Sequence, residues 1–438
     1  MSKNKKTGQK LYKKAKKLIV GGNMLLSKRP EMFLPDNWPS YFSKSKGCYI
    51  WDLDGNKLID MSIMGIGTNI LGYNRKEIDD AVIRTVKKGN MSTLNCPEEV
   101  RLSEMLIKMN PWASKVKYAR SGGEANAISI RIARAATGRE KIAVCGYHGW
   151  HDWYLSANIG SNKNLDGHLL PGLSPTGVPR SLKGLTIPFN YNEIDEIEKL
   201  IKSNQLAAVK MEVSRSFGPN KGYLEKIRKL TKKHNTVLIF DECTSGFRET
   251  YGGIYKKYDV IPDMIMHGKT LGNGYAISTV IGSEDVMNSA ESSFISSTFW
   301  TERIGPTAAI ETLKIFKQEK PWIFMNKQAK KLHKLWENLA NKHSLDISIS
   351  GLPVLSNFAI NHPDWIKYKT YITQEGLKKG FLMANSVYIC NQHNDDVLEK
   401  YEKTLDGIFK NISEFHDGKD VNKYLDGPVC HEGFKRLN

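Results

Sequence analysis

The apolar run 264–267 ends in Gly268-Lys269-Thr270-Leu271-Gly272-Asn273-Gly274. A lysine on a tight, glycine-flanked turn has its amine fixed in place, and a partly buried amine loses its proton more readily. Both properties suit a nucleophile that traps a carbonyl group. Gly-Lys-Thr also ends the phosphate-binding loop of nucleotide hydrolases. That pattern needs a glycine five residues before Gly268, where Asp263 stands. Three other strand ends carry reactive or binding groups. Asp241-Glu242 follows the run 236–240 and offers a carboxylate to a site, a helix cap or a structural contact. Arg120-Ser121-Gly122-Gly123-Glu124-Ala125-Asn126 follows the run 116–119. A hydroxyl and two glycines at a helix start point N–H groups at an anion and let a phosphate approach; the same residues also make a plain glycine turn with a serine cap. Gly146-Tyr147-His148-Gly149-Trp150-His151-Asp152 follows the run 141–145, where an aromatic ring can stack on a flat ligand. His148 and His151 have no further ligands on their loop, so no metal site is expected. Neither Gly-x-Gly-x-x-Gly nor Gly-x-Ser-x-Gly occurs, which leaves dinucleotide binding and serine hydrolysis without support.

Groups at strand ends need a sheet to gather them, because open α/β sheets bind ligands at the carboxyl ends of their strands. The pattern predicts strands at 116–119, 141–145, 206–212, 236–240 and 264–267. It predicts helices at 98–109, 125–136, 194–202 and 224–234. This alternation implies an α/β fold with a mostly parallel sheet and helices on both faces. Residues 45–60 read as a hairpin around a turn at Asp54 and Gly55. A long helix is expected after Pro306, followed by a smaller α+β unit that the hairpin joins. The expected division is 1–68 for the N-terminal segment and hairpin, 69–308 for the large domain and 309–438 for the small one.

Composition supports a globular protein with a sizeable core: 438 residues, 40% hydrophobic and 25% charged. The net charge of +18 suits anionic small molecules, nucleic acid or an acidic membrane surface. Most lysines are scattered, which reads as a solvated surface. Lys3, Lys5, Lys6, Lys10, Lys13, Lys14, Lys16 and Lys17 cluster, but they lead into a basic helix and no RNA-recognition or zinc-finger pattern follows. The six cysteines form no Cys-x-x-Cys pair, as reduced thiols in a cytoplasmic protein would be arranged. No apolar leader and no apolar run approaching about 18 residues is found, so neither export nor membrane insertion is expected.

Taken in order, the motifs resemble those of a known family. They are Gly21-Gly22, Trp51-Asp52-Leu53-Asp54-Gly55, Ile70-Leu71-Gly72, Ser121 to Asn126, Tyr147-His148-Gly149, Asp241-Glu242-Cys243-Thr244-Ser245-Gly246-Phe247-Arg248, Pro262-Asp263 and Gly268-Lys269. The set resembles class III aminotransferases of pyridoxal-phosphate fold type I, and among them the glutamate-1-semialdehyde 2,1-aminomutases. The stretch 170–179 is similar to the mobile loop of that group. The resemblance implies a large mostly parallel, seven-stranded-type sheet domain with a smaller α+β domain, pyridoxal 5'-phosphate as cofactor, a small amino or carbonyl substrate, and a homodimer with shared active sites. It implies Lys269 as the Schiff-base lysine and proton shuttle, and Asp241 as partner of the pyridine nitrogen, keeping the ring an electron acceptor. It further implies Ser121, Gly122 and Gly123 at the phosphate, Tyr147 stacked on the ring's outer face beside His148, and Cys243 beneath the ring in place of a valine. Glu212 matches the family's Glu-Pro acid, with Val213 for proline, and Thr298 a threonine that reaches the phosphate from the neighbouring subunit.

The chain departs from this pattern where the substrate binds. Gly65-Ile66-Gly67 replaces Ser-Trp-Gly, Phe217 an asparagine, and Glu302-Arg303 an Asn-Pro pair; residues 385–389 lack an acid. Lys28, Arg29 and Arg303 are the candidates for a substrate acid group. The expected activity is amino-group transfer of the aminomutase-like kind. The other enzymatic reading is an intermolecular aminotransferase acting on a keto-sugar or a small phosphorylated carbonyl compound, and residues 425–431 are similar to relatives linked to surface polysaccharides. A non-catalytic anion- or nucleic-acid-binding protein rests on the charge alone.

Overall fold

The structure, a computed structural model, describes residues 5–168, 171–214, 216 and 218–433. The chain forms two compact units, Lys76–Trp322 and Met1–Arg75 with Ile323–Asn438.

In the unit Lys76–Trp322, seven strands form one sheet in the order Lys115–Ala119, Ser278–Gly282, Met264–His267, Val237–Asp241, Leu206–Met211, Lys141–Cys145, Thr186–Pro188. All run parallel except Ser278–Gly282, which is antiparallel to both neighbours. Runs such as Val237–Asp241 are apolar at successive positions because side chains alternate between two covered faces. Ile239 and Met266 on one face, and Leu238 and Phe240 on the other, are all fully buried. Helix Gly122–Thr137 lies along one face against five strands. The chain crosses by this helix from Lys115–Ala119 to Lys141–Cys145, adds the edge strand Thr186–Pro188, then returns strand by strand from Leu206–Met211 to Ser278–Gly282. The predicted strand ends are thereby gathered at one end of the sheet.

Two strands were not foreseen. Ser278–Gly282 mixes small and polar residues with two aliphatics, and Thr186–Pro188 is three residues long. The division at 308/309 is also displaced. Helix Ile304–Glu319 packs whole against Lys76–Val86 and Pro97–Met109, burying Ala308, Ala309, Leu313 and Phe316, so it belongs to the sheet unit. Pro306 lies in its first turn, where no intrahelical N–H bond is lost.

The other unit holds a four-stranded sheet, Phe42–Lys46, Tyr49–Asp52, Lys57–Met61, Phe381–Met383, and a three-stranded one, Ile347–Ser350, Leu355–Ile360, Ser386–Tyr388. The hairpin turns at Gly55 (φ 85°), with Asp52 Oδ1 accepting from the N–H groups of Asp54 (2.9 Å) and Asn56 (2.8 Å). Phe381–Met383 pairs in parallel with Lys57–Met61, so the hairpin and the C-terminal part share a sheet. Residues 69–75 belong here as well: Gly47 and Tyr73 exchange backbone hydrogen bonds of 2.9 and 2.7 Å, and Asn391 N–H donates to Ile70 O at 2.8 Å. Gly65, Ile66 and Gly67 are three successive left-handed residues (φ 63°, 63° and 71°), a conformation that strains only the isoleucine. Helix Thr7–Leu18 buries Gly8, Tyr12 and Ala15 and leaves Lys13, Lys14, Lys16 and Lys17 in solvent. Among the described residues no helix is long and apolar enough to cross a membrane.

Candidate active site

Asp241 ends its strand and Glu242 follows it, and the two carboxyls have different surroundings. Glu242 is buried and takes hydrogen bonds from Ser245 Oγ and Tyr255 N–H; burial pushes its carboxyl up to about 7. Asp241 is equally buried but behaves in the opposite way. Burial favours its neutral form. The bond from His148 Nδ1 to Oδ2 (2.8 Å), the charge of Lys210 and the bond from Cys243 N–H to Oδ1 (3.0 Å) outweigh this and hold the carboxyl well below its usual range. His148 is fully buried, with Nε2 3.2 Å from Cys145 O. It therefore stands behind Asp241 as its holder.

Tyr147 is half-buried and packs edge-on against Tyr154 at 6.1 Å. Its N–H donates to Glu212 Oε2 at 3.0 Å, so Glu212, at the end of the neighbouring strand, fixes the tyrosine's loop. Gly146 makes this approach possible. Its φ is 113°, and a Cβ there would lie 2.6 Å from Glu212 Oε2. Gly146→Ala is expected to cost about 1–3 kcal/mol through backbone strain and displacement of the carboxylate. Thermal denaturation of the holoenzyme checks this, and an unchanged midpoint would contradict the close packing.

Ser121 is the N-cap of Gly122–Thr137. Its Oγ accepts from Glu124 N–H at 3.4 Å, and Glu124 Oε2 accepts from Ser121 N–H at 2.9 Å. The N–H groups of Gly122 and Gly123, ahead of the capped Glu124, have no partner within the helix and form an anion seat. Gly123 lies under the next loop, where a Cβ would come 3.0 Å from His151 Cε1. Cys243 lies between two of the turns: its Sγ is 3.6 Å from the place of a Cβ on Gly122 and 3.3 Å from that on Gly268. Burial drives its thiol pKa well above the ordinary value, so it is a neutral, compact wall. On the far side of Gly268, Lys269 is half-buried with a left-handed backbone (φ 37°), a strained conformation for lysine. Its Nζ donates to Thr244 Oγ1 at 2.7 Å.

The structure thus brings Ser121, Gly122, Gly123, Tyr147, Glu212, Asp241, Cys243 and Lys269 to one end of the sheet, with His148 in support. Thr298 is exposed, and its carbonyl accepts from Thr301 Oγ1 at 2.8 Å. Arg303 is engaged by Glu98 in a two-pronged pair of 3.1 and 2.8 Å. Glu302 forms an ion pair with Arg120, Oε1 2.9 Å from Nε, and caps its helix by accepting from Gly305 N–H at 2.9 Å. Lys28 and Arg29 lie in the other unit, where the Arg29 guanidinium packs against Gly21. Phe217 and Leu170 lie outside the described residues. Two contributors escaped sequence reading. Thr244 was legible only as a hydroxyl three residues after Asp241, and Lys210 only as a lysine inside an otherwise apolar strand.

An amine on a fixed turn, a carboxylate kept ionised in a buried setting and a helix start free of side-chain bulk are the donor set for an aromatic aldehyde bearing a phosphate. The profile of the aminotransferase class-III family matches residues 35–390. The chain belongs to the class III aminotransferases. It is 31% identical to 3-aminobutyryl-CoA aminotransferase of Cloacimonas acidaminovorans over 92% of its length and 96% of that protein. It is also 31% identical to glutamate-1-semialdehyde 2,1-aminomutase of Methanocaldococcus jannaschii, over 92% of this chain and 98% of the other. The fold matches the PLP internal aldimine form of the FumI protein of Sphingopyxis sp. MTA144, with a TM-score of 0.84 over 95% of this chain and 99% of that one at 22% identity. The class III aminotransferase is therefore a fold type I enzyme of amino-group transfer, dependent on pyridoxal phosphate.

Proposed function

We propose that this class III aminotransferase moves an amino group between a small amino compound and a carbonyl compound, with Lys269 and Asp241 as its catalytic residues. The observation that carries the assignment is the placement of the Lys269 amine on a strained turn, bonded to Thr244, with Cys243 lying against both Gly268 and Gly122 of the helix start. Pyridoxal phosphate supplies the aldehyde that receives the amine and a ring that accepts the electron pair of the substrate carbon. Lys269 Nζ takes the proton from one atom of the substrate framework and returns it to another. The Thr244 hydroxyl keeps that amine oriented between transfers. Asp241 holds the ring nitrogen through its carboxylate, and His148 keeps the carboxylate aimed. Ser121, Gly122 and Gly123 would hold the phosphate, and Tyr147 and Cys243 would pack against the ring. Glu212 acts by holding the Tyr147 loop.

Thr298 is exposed and falls in a stretch with Phe299 (68% exposed) and Phe294 (86% exposed). This supports a homodimer in which Thr298 completes the partner's phosphate site. Sedimentation should show a dimer, and Thr298→Ala should weaken cofactor retention while leaving the dimer intact. A monomer that retains cofactor fully would overturn the shared site.

The occupied Arg303 and Glu302 favour a two-substrate aminotransferase acting on a keto-sugar or a small phosphorylated carbonyl compound over the aminomutase reaction. Equal identity to the aminomutase keeps isomerisation within one molecule as the second reading. Incubation with glutamate separates the two. Formation of 2-oxoglutarate with loss of the cofactor's aldehyde absorbance supports two-substrate transfer; turnover of a single compound with no separate donor supports isomerisation.

A further inference from the structure

Lys210 is among the buried ionisable groups that the reaction as proposed leaves unused. Lys210 lies in strand Leu206–Met211 at the centre of the sheet and has no solvent exposure. Its register partner is Ile239, and alternation turns both toward the face covered by helix Gly122–Thr137. Asp241, two residues beyond Ile239, shares that face, and its own partner on the next strand is Met266. The lysine crosses the sheet diagonally to this level: Nζ donates to Met266 Sδ and to Ser129 Oγ, each at 3.1 Å. Ser129 spends its hydrogen on Asn126 O at 2.7 Å, so it can only accept from the lysine. A thioether and a hydroxyl do not balance a buried positive charge. The acidic groups that face the amine are Asp241, Cys243 and Glu212, with Asp241 acting most strongly and His148 bonded on the other side of it.

We propose that Lys210 is a positioning residue for amino-group transfer: its ammonium, lodged on the helix-covered face beneath Asp241, sets how strongly that carboxylate holds the cofactor nitrogen. The proposal rests on the assignment of Asp241 to that nitrogen. While Lys210 is charged, Asp241 is a weaker proton acceptor; when Lys210 loses its proton, Asp241 binds the ring N–H more tightly. Burial pulls the lysine down from the ordinary 10.5 to about 8, against the opposing pull chiefly of Asp241, so the change falls in a mildly alkaline range. A folded value below the unfolded one means that folding expels the proton. Stability is therefore reduced below about pH 8 and recovers as pH rises from there toward 10.5.

The test compares holoenzyme of the wild type, Lys210→Met and Lys210→Arg from about pH 6 to about pH 10. The wild type should show a transition near pH 8 in both the absorbance of bound pyridoxal phosphate and kcat. Lys210→Met, of similar length and without charge, should lack that transition and hold the alkaline kcat throughout, with a higher thermal midpoint than wild type at neutral pH. Lys210→Arg should stay at the low-pH kcat. Superimposable profiles of wild type and Lys210→Met would overturn the proposal. Lysine 13C NMR of the wild-type apoprotein gives a reading that needs no Lys210 variant to fold. One lysine should titrate roughly two units below the rest and shift lower still in Asp241→Asn. Lysines that all titrate at ordinary values, or one that ignores Asp241→Asn, would also overturn it. Full activity in Asp241→Asn would instead remove the assignment of Asp241 to the cofactor, while the low lysine titration would still report its coupling to Asp241.

Discussion

Lys269→Ala should abolish turnover, with kcat for any amino donor falling on the order of 10³–10⁴-fold, the range expected when a positioned proton-transfer group is removed. The effect is large because the same Nζ both anchors the cofactor and moves the proton. Stability should change little. Lys269 is half-buried, its Nζ donates to the Thr244 hydroxyl, and its left-handed backbone is already strained, so alanine inherits that strain. The variant should still bind pyridoxal phosphate through the helix start at Ser121 and through Asp241, with the absorbance of the free aldehyde. Single-turnover assays with an added primary amine check the cause: partial rescue of proton transfer is expected. Activity within tenfold of wild type would place the chemistry elsewhere.

Asp241→Asn should cost on the order of 10²–10³-fold in kcat, comparable to removing one preorganised electrostatic partner from a buried site. Unlike Lys269→Ala, it should also destabilise the fold. The carboxylate accepts from His148 and faces the charge of Lys210, and removing its charge leaves that buried lysine without its strongest counter-charge. Breaking a buried pair in this way costs roughly 3–5 kcal/mol, read as a fall in the thermal midpoint. The pH dependence follows from the direction of the shift. The folded carboxyl is far more acidic than the unfolded one, so its contribution is complete above the ordinary carboxylate pKa and is lost as pH falls through that value toward the folded one. The wild type should therefore lose stability below about pH 4, and Asp241→Asn should lack that limb. Equal stability of the two proteins at neutral pH would contradict the buried pairing.

The strands that bear the site were legible because burial on both faces makes them short apolar runs with a reactive residue at the carboxyl end, as in 236–240 before Asp241. Ser278–Gly282 was not legible: an antiparallel strand built from serine, threonine and glycine resembles a loop, and only its two long-range pairings make it a strand. Helix Ile304–Glu319 was foreseen, but the unit it serves was not, because which surface its apolar stripe covers depends on Lys76–Val86, over 200 residues earlier. The residue types of the site were legible for the same reason its chemistry is specific: an amine, a carboxylate and an anion-binding turn each leave a local mark. The layer behind them was not. His148 read as a neighbour of the cofactor, and its bond to Asp241 spans 93 positions. Lys210 read as one more strand residue, because the helix and strands that bury its charge are remote in sequence.

The central claim is that Lys269 Nζ is the amine that carries the cofactor. Treating the holoenzyme with sodium borohydride and analysing its peptides by mass spectrometry tests this directly. The account predicts one phosphopyridoxyl group per chain, on Lys269, and none in Lys269→Ala. A reduced cofactor on Lys210 or any other lysine, or a wild-type chain with none, would contradict it.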